Sequence, residues 1–72
     1  MGKTIADLKV GEMAIIKGYE THDFTYKLLE MGFIPGSTVK VNYKAPLGDP
    51  LSVRVSGYNV AIRLEEASII TV

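Results

Sequence analysis

The single histidine of this 72-residue chain, His22, lies in Glu20-Thr21-His22-Asp23, where nitrogen and oxygen donors suited to a metal ion crowd together. A tight site needs three or four ligands converging from different directions, each oriented by its own hydrogen bonds. Neighbours on one loop seldom converge, so the stretch reads as a solvated helix entry and no metal ligand is assigned. Cysteine is absent, which removes thiolate ligands, thiol nucleophiles and disulfides together. The carboxylates are Asp7, Glu12, Glu20, Asp23, Glu30, Asp49, Glu65 and Glu66. Only Glu65 and Glu66 are adjacent, and adjacent side chains point apart, so no general acid–base pair is visible. Ser37, Ser52, Ser56 and Ser68 lie outside any nucleophile-elbow motif. Gly48 and Gly57 stand alone as turn glycines rather than in a phosphate-cradling loop. These residues predict a protein that is not an enzyme, with no catalytic residue and no cofactor.

Binding surfaces are the remaining source of function. Lys40, Asn42 and Lys44 share the wet face of one predicted strand, with Arg54 and Arg63 on the wet faces of the next two. Small barrels bind single-stranded nucleic acid on such faces through stacking aromatics. Here Tyr43 is expected on the apolar side, leaving only Tyr58 free. Eight basic side chains balance eight acidic ones, whereas nucleic-acid binders of this size are usually basic. A solubilising charged face is the better reading. Two apolar residues stand outside the core pattern. Leu29 projects roughly 140° round its helix from Phe24, and Leu47 lies at the tip of the loop bounded by Pro46 and Pro50. An apolar knob with a polar rim is how a small module grips a partner, and the flanking prolines limit the entropy lost on binding.

Seventy-two residues are expected to form one domain, residues 1–72. A chain of this length hides only about 60% of its unfolded surface, so most large apolar side chains are committed to the core. No run of 18 apolar residues is present, so no membrane-spanning helix is expected. An acid at Asp7 interrupts any signal-peptide core, and Ala6 replaces the Ser or Thr of a myristoylation motif. A soluble, cytoplasmic location is expected.

The elements follow from periodicity and turn chemistry. Thr4–Leu8 has a helix-start pattern in which Thr4 accepts from the Asp7 amide, and Gly11 stops it. Met13–Tyr19 reads as a strand bent at Gly18. Asp23–Met31 reads as a helix with Phe24, Leu28 and Met31 on one face. Gly32 ends it at the C′ position, and Pro35-Gly36 fits the centre of a type II turn. Three alternating runs follow: Val39, Val41 and Tyr43; Leu51, Val53 and Val55; Val60, Ile62 and Leu64. Gly57 at the first central position of Ser56-Gly57-Tyr58-Asn59 predicts a type II′ hairpin pairing Val55 with Val60, Val53 with Ile62 and Leu51 with Leu64. One helical turn at Glu65–Ser68 and a last strand at 69–72 complete the chain. About five short strands and one α-helix (about 23–31) make a mainly β fold, a small SH3-like antiparallel barrel.

In order along the chain stand Leu8-Lys9-Val10-Gly11, Lys27-Leu28-Leu29-Glu30-Met31-Gly32, Pro35-Gly36, Pro46-Leu47-Gly48-Asp49-Pro50 and Glu66-Ala67-Ser68-Ile69-Ile70-Thr71-Val72. This series resembles the FeoA family, over essentially the whole chain. Lys27 stands where the family often has Arg, and lacks its bidentate fork. The resemblance implies an SH3-like barrel. It also implies a cytosolic accessory of ferrous-iron uptake that docks on, and regulates, the membrane transporter FeoB with its cytoplasmic GTPase. The alternative is a transition-metal-binding or metal-sensing module of the kind fused to iron-dependent repressors. With the apolar knobs above, it makes Lys27, Leu29, Glu30, Leu47 and Asp49 the expected partner-binding residues. No nucleic acid, no insertion into the membrane and at most weak self-association are expected. Arg54 and Arg63 read as mid-strand residues, which argues against a direct arginine finger.

Overall fold

The computed structural model describes residues 3–20, 23 and 25–72. A 3-10 turn at Ile5–Asp7 leads into β1 (Met13–Ile15) and β2 (Gly18–Tyr19). Then come α1 (Thr25–Glu30), β3 (Thr38–Lys44), β4 (Leu51–Val55), β5 (Tyr58–Ile62), α2 (Leu64–Ala67) and β6 (Ile70–Thr71). The strands form a four-stranded sheet in the order β1-β3-β4-β5 and a two-stranded sheet of β2 with β6, all antiparallel. His22 and Phe24 lie outside the described residues.

The core forms where the inward side of the sheet meets the helices. Val39, Val41, Val53 and Val55 are fully buried, with Leu51 and Ile62 at their sides. Leu28 from α1, Ala67 from α2 and Ile5 and Leu8 from the N-terminal turn close over them. Burial of each such aliphatic side chain is worth about 1.5–3 kcal/mol. The strict alternation of β4, buried at Leu51, Val53 and Val55, is the pattern a half-wet strand requires.

The end of α1 follows the expected cap. Gly32 adopts φ +102°, its amide donates to the Leu29 carbonyl at 3.1 Å, and the Phe33 amide donates to the Leu28 carbonyl at 3.1 Å. This is a Schellman motif, completed by burial of Leu28 with Phe33. A Cβ at Gly32 would meet Ser56 Oγ at 3.1 Å. The Ser56 hydroxyl in turn donates to the Gly32 carbonyl at 2.9 Å, locking the helix end to the β4–β5 turn. The Pro35-Gly36 turn is also as expected: Gly36 has φ +95° and the Ser37 amide donates to the Ile34 carbonyl.

Several expectations are corrected. The β4–β5 hairpin pairs Val55 with Tyr58, Val53 with Val60 and Leu51 with Ile62. Its turn is the two-residue Ser56-Gly57, with φ +51° and +82°. Positive φ at both centres is the type I′ pattern, not II′. The register is therefore two residues from the expected one. A two-residue slip preserves which side chains face inward, so Arg54 still faces out. Leu64 begins α2 instead of extending β5. The Met13–Tyr19 run divides between the two sheets at Ile16-Lys17, giving six strands where about five were expected. In β3 the register shifts between Val41 and Tyr43, leaving Asn42 as an extra residue. This bulge inverts the alternation, so Tyr43 is 57% exposed, while Lys44 stands opposite buried Leu51. At the N-terminal turn the Asp7 amide donates to the Thr4 carbonyl at 2.9 Å rather than to its hydroxyl, and the Asp7 carboxylate accepts in return from the Thr4 amide and hydroxyl.

The two ends of the described chain meet. Thr4 bridges Thr71, and the Val72 amide donates to the Lys3 carbonyl at 2.9 Å.

Candidate functional site

The polar residues that the fold gathers lie where α1, α2 and the 46–50 loop converge. A helix leaves its first amides without internal partners, and two side chains satisfy those of α2. Glu66, one turn into the helix, accepts from the Arg63 amide through Oε1 at 2.8 Å. Asp49 Oδ1 accepts from the Leu64 amide at 3.0 Å. Glu66 Oε2 also accepts from Lys27 Nζ at 3.1 Å, an ion pair that ties α1 to α2. The Glu66 side chain is 6% exposed and that of Lys27 64%. Burial pushes the Glu66 carboxyl up, but the Arg63 amide and Lys27 ammonium outweigh it and hold the group below the usual carboxylate value.

A cleft of about 340 Å³ opens beside this ion pair, lined by Lys27, Asp49, Pro50, Ala61, Ile62, Arg63 and Glu66. Lys27 and Asp49 therefore come to one place although they lie 22 positions apart. The 46–50 loop is closed at its base by an Ala45–Pro50 backbone bond of 3.0 Å and within by a Gly48–Ala45 bond of 2.7 Å. Its Asp49-Pro50 peptide is cis. At its tip Leu47 is 95% exposed. Glu30 is exposed at the end of α1. Leu29 is half-buried rather than free.

Sequence reading missed three participants. Tyr26 is 81% exposed on α1; its signal was the helical projection, which places it roughly 200° from inward-facing Leu28. Glu66 has no role in that reading beyond its place in the 65–68 turn and in the closing motif. Its position three residues after Arg63 is the capping spacing that identifies it. Arg63, expected mid-strand, instead precedes α2 and lines the cleft.

Elsewhere, the Tyr19 hydroxyl donates to the Phe33 carbonyl, and burial pushes its phenol up to about 12. Among the described residues no three His, Asp or Glu side chains gather to hold a metal. Among them, too, no helix is long and apolar enough to cross a membrane.

Comparison with known proteins places this geometry. A 41% identical segment of 69 residues occurs in an Fe(2+) transport protein A/Fe(2+) transporter FeoB fusion protein of Porphyromonas gingivalis, covering 94% of this chain and 8% of that protein. The chain thus spans less than a tenth of the length of that relative. The FeoA-like protein of Clostridium acetobutylicum superposes with a TM-score of 0.90 at 27% identity, over 97% of this chain and 83% of that one. The FeoA of Stenotrophomonas maltophilia, a prokaryotic SH3 domain protein solved with zinc, superposes with a TM-score of 0.83 at 28% identity, over 96% and 87%. The fold is thus SH3-like. The family model described as FeoA domain matches residues 3–72, and the chain belongs to the FeoA domain family, whose members take part in ferrous-iron transport.

Proposed function

We propose that this FeoA domain is a cytoplasmic accessory of ferrous-iron uptake. It docks on the transporter FeoB through α1 and the 46–50 loop and thereby regulates the transporter's GTPase. The observation that carries this reading is the Porphyromonas gingivalis relative, in which a segment 41% identical to this chain is joined to FeoB in one polypeptide. Covalent linkage raises the effective concentration of two modules to the millimolar range, which benefits modules that act on one another. The geometry supports the face. Leu47 and Tyr26 protrude, and Lys27, Glu30 and Asp49 supply a polar surround, the composition of an anchored interface. Arg54 lies within β4 and Arg63 beside α2, so regulation proceeds through docking rather than through an arginine reaching the nucleotide.

The test is Leu47→Glu, read by co-purification with the transporter and by thermal melting. Affinity should fall about 30-fold, on the order of 2 kcal/mol, with stability within about ±0.5 kcal/mol of wild type. Retained binding would move the docking face elsewhere. Leu29→Glu is the contrasting variant: its half-buried position makes it lose stability as well as binding.

A metal-binding role is the second reading, favoured by the zinc complex of the Stenotrophomonas maltophilia protein. Anaerobic calorimetry with ferrous iron separates the two. Docking alone predicts no micromolar one-to-one binding to the isolated domain. Tight binding abolished by His22→Ala would establish the metal-carrying reading instead.

A further inference from the structure

We propose that the outward face of the four-stranded sheet is a second docking surface, and that it takes an acidic protein segment carrying an apolar side chain. The chain has equal numbers of acidic and basic residues, yet they are segregated. Strands β1, β3, β4 and β5 contain Lys40, Lys44 and Arg54 and no Asp or Glu. Lys40 stands directly opposite Arg54, and both are exposed. Like charges directly opposite on neighbouring strands destabilise a sheet. The ion pairs among the described residues join Lys3 to Glu12 and Lys27 to Glu66, so neither Lys40 nor Arg54 is neutralised. The fold bears this repulsion without any return visible among the described residues.

Apolar surface lies against the two cations. The register runs Met13, Lys40, Arg54, Asn59 across the sheet, with Ile15 opposite Thr38 one row away. Met13 is 62% exposed and Ile15 59%. Met13, Thr38, Lys40, Arg54, Ser56 and Gly57 line a groove of about 270 Å³. An Asn42–Asn59 side-chain bond of 3.0 Å crosses the same face beside it. A hollow with methionine on one wall and two cations on another complements an aliphatic or aromatic anchor flanked by carboxylates. Single-stranded nucleic acid fits less well: Tyr43 offers one stacking surface, where such binders stack successive bases along a basic track. An anionic membrane fits less well too, because about 1 kcal/mol per basic residue from so few cations is weak. This groove shares no residue with the Lys27–Glu66 cleft, so the two surfaces fail or stand separately.

The probe is a fluorescein-labelled peptide of alternating glutamate and leucine, followed by anisotropy. Its lysine–leucine counterpart, an oligothymidine strand and phosphatidylglycerol vesicles are the comparisons. The acidic peptide should bind best, weaken with added salt, and lose about tenfold or more in affinity to Lys40→Gln/Arg54→Gln. Met13→Ser should also weaken it, while Leu47→Glu leaves it unchanged. The double variant should melt no lower than wild type, which separates lost binding from lost fold. Equal binding by wild type and the double variant would overturn the proposal. So would tighter binding of the oligothymidine or of the vesicles than of the peptide.

Discussion

Charges are handled oppositely in two regions of this domain. In the cleft, every carboxylate is spent inside the molecule. Glu66 caps α2 and holds Lys27, and Asp49 caps the adjacent amide. On the outward sheet face, Lys40 and Arg54 oppose one another with no carboxylate in their strands. The contrast teaches that a charged residue in a candidate site is not automatically a binding residue. The cleft's carboxylates already serve helix capping, so what the region offers a partner first is the protruding Leu47, with those charges as its polar surround. The sheet cations are unexplained by the fold, and their effect on stability has the opposite sign.

The largest effect that tests this contrast is Glu66→Ala. It removes the partner of the Arg63 amide and of Lys27 at once. It should cost about 2 kcal/mol, a melting temperature lower by roughly 8–16 °C for a domain of this size. An unchanged melt would abolish the distinction between the regions. Acidification should show the same dependence. Glu66 has a folded-state pKa below its ordinary value of 4.5. Its contribution is therefore complete at neutral pH and is lost as pH falls below about 4.5 through the folded pKa. Glu12, held low by the Lys9 amide and by Lys3, adds in the same direction. Glu66→Gln should flatten the acid limb of the stability profile, so that wild type and variant converge as the pH drops. Parallel profiles would show that Glu66 does not titrate differently on folding.

Lys27→Met should cost less, about 0.5–1 kcal/mol. The lysine is mostly exposed, so solvent screens the pair, and the Arg63 amide still holds Glu66. The smallest effect carries the sharpest sign. Lys40→Gln or Arg54→Gln should stabilise by up to about 0.5 kcal/mol, read as a higher denaturation midpoint with unchanged slope. A loss of stability in both would show that the facing cations are not strained, and would make the two regions alike.

The parts of the fold legible from sequence are those where one residue type has one role. Gly32 and the Pro35-Gly36 turn belong here, since positive φ and fixed φ leave few alternatives. So does β4, whose alternation is unbroken. The hairpin register was not legible because Gly57 fits either central position of a turn. Ser56 at φ +51° decided it, supported by its bond to Gly32. The bulge at Asn42 was hidden because polar and apolar residues keep alternating through it, although the faces have exchanged. The division between β1 and β2 falls at Ile16-Lys17, next to Gly18, where the sequence predicts only a bend within one strand. In the site, Lys27 and Asp49 meet as neighbours of one cleft. The burial of Glu66 escaped notice because it depends on an ion pair from a helix 39 positions away.

The bond between the Val72 amide and the Lys3 carbonyl has a topological consequence. Because the two ends lie side by side, a short linker could close the backbone into a ring. Reopening that ring at the exposed tip of the 46–50 loop would leave every strand ladder intact. Circular permutants of this kind succeed where the new opening falls at an exposed loop tip. Permutation at Leu47 would move the termini to the proposed transporter-facing surface without altering the sheet cations. Within a longer polypeptide, the same adjacency lets the domain hang from two neighbouring threads and turn about them, presenting either of its surfaces without unfolding.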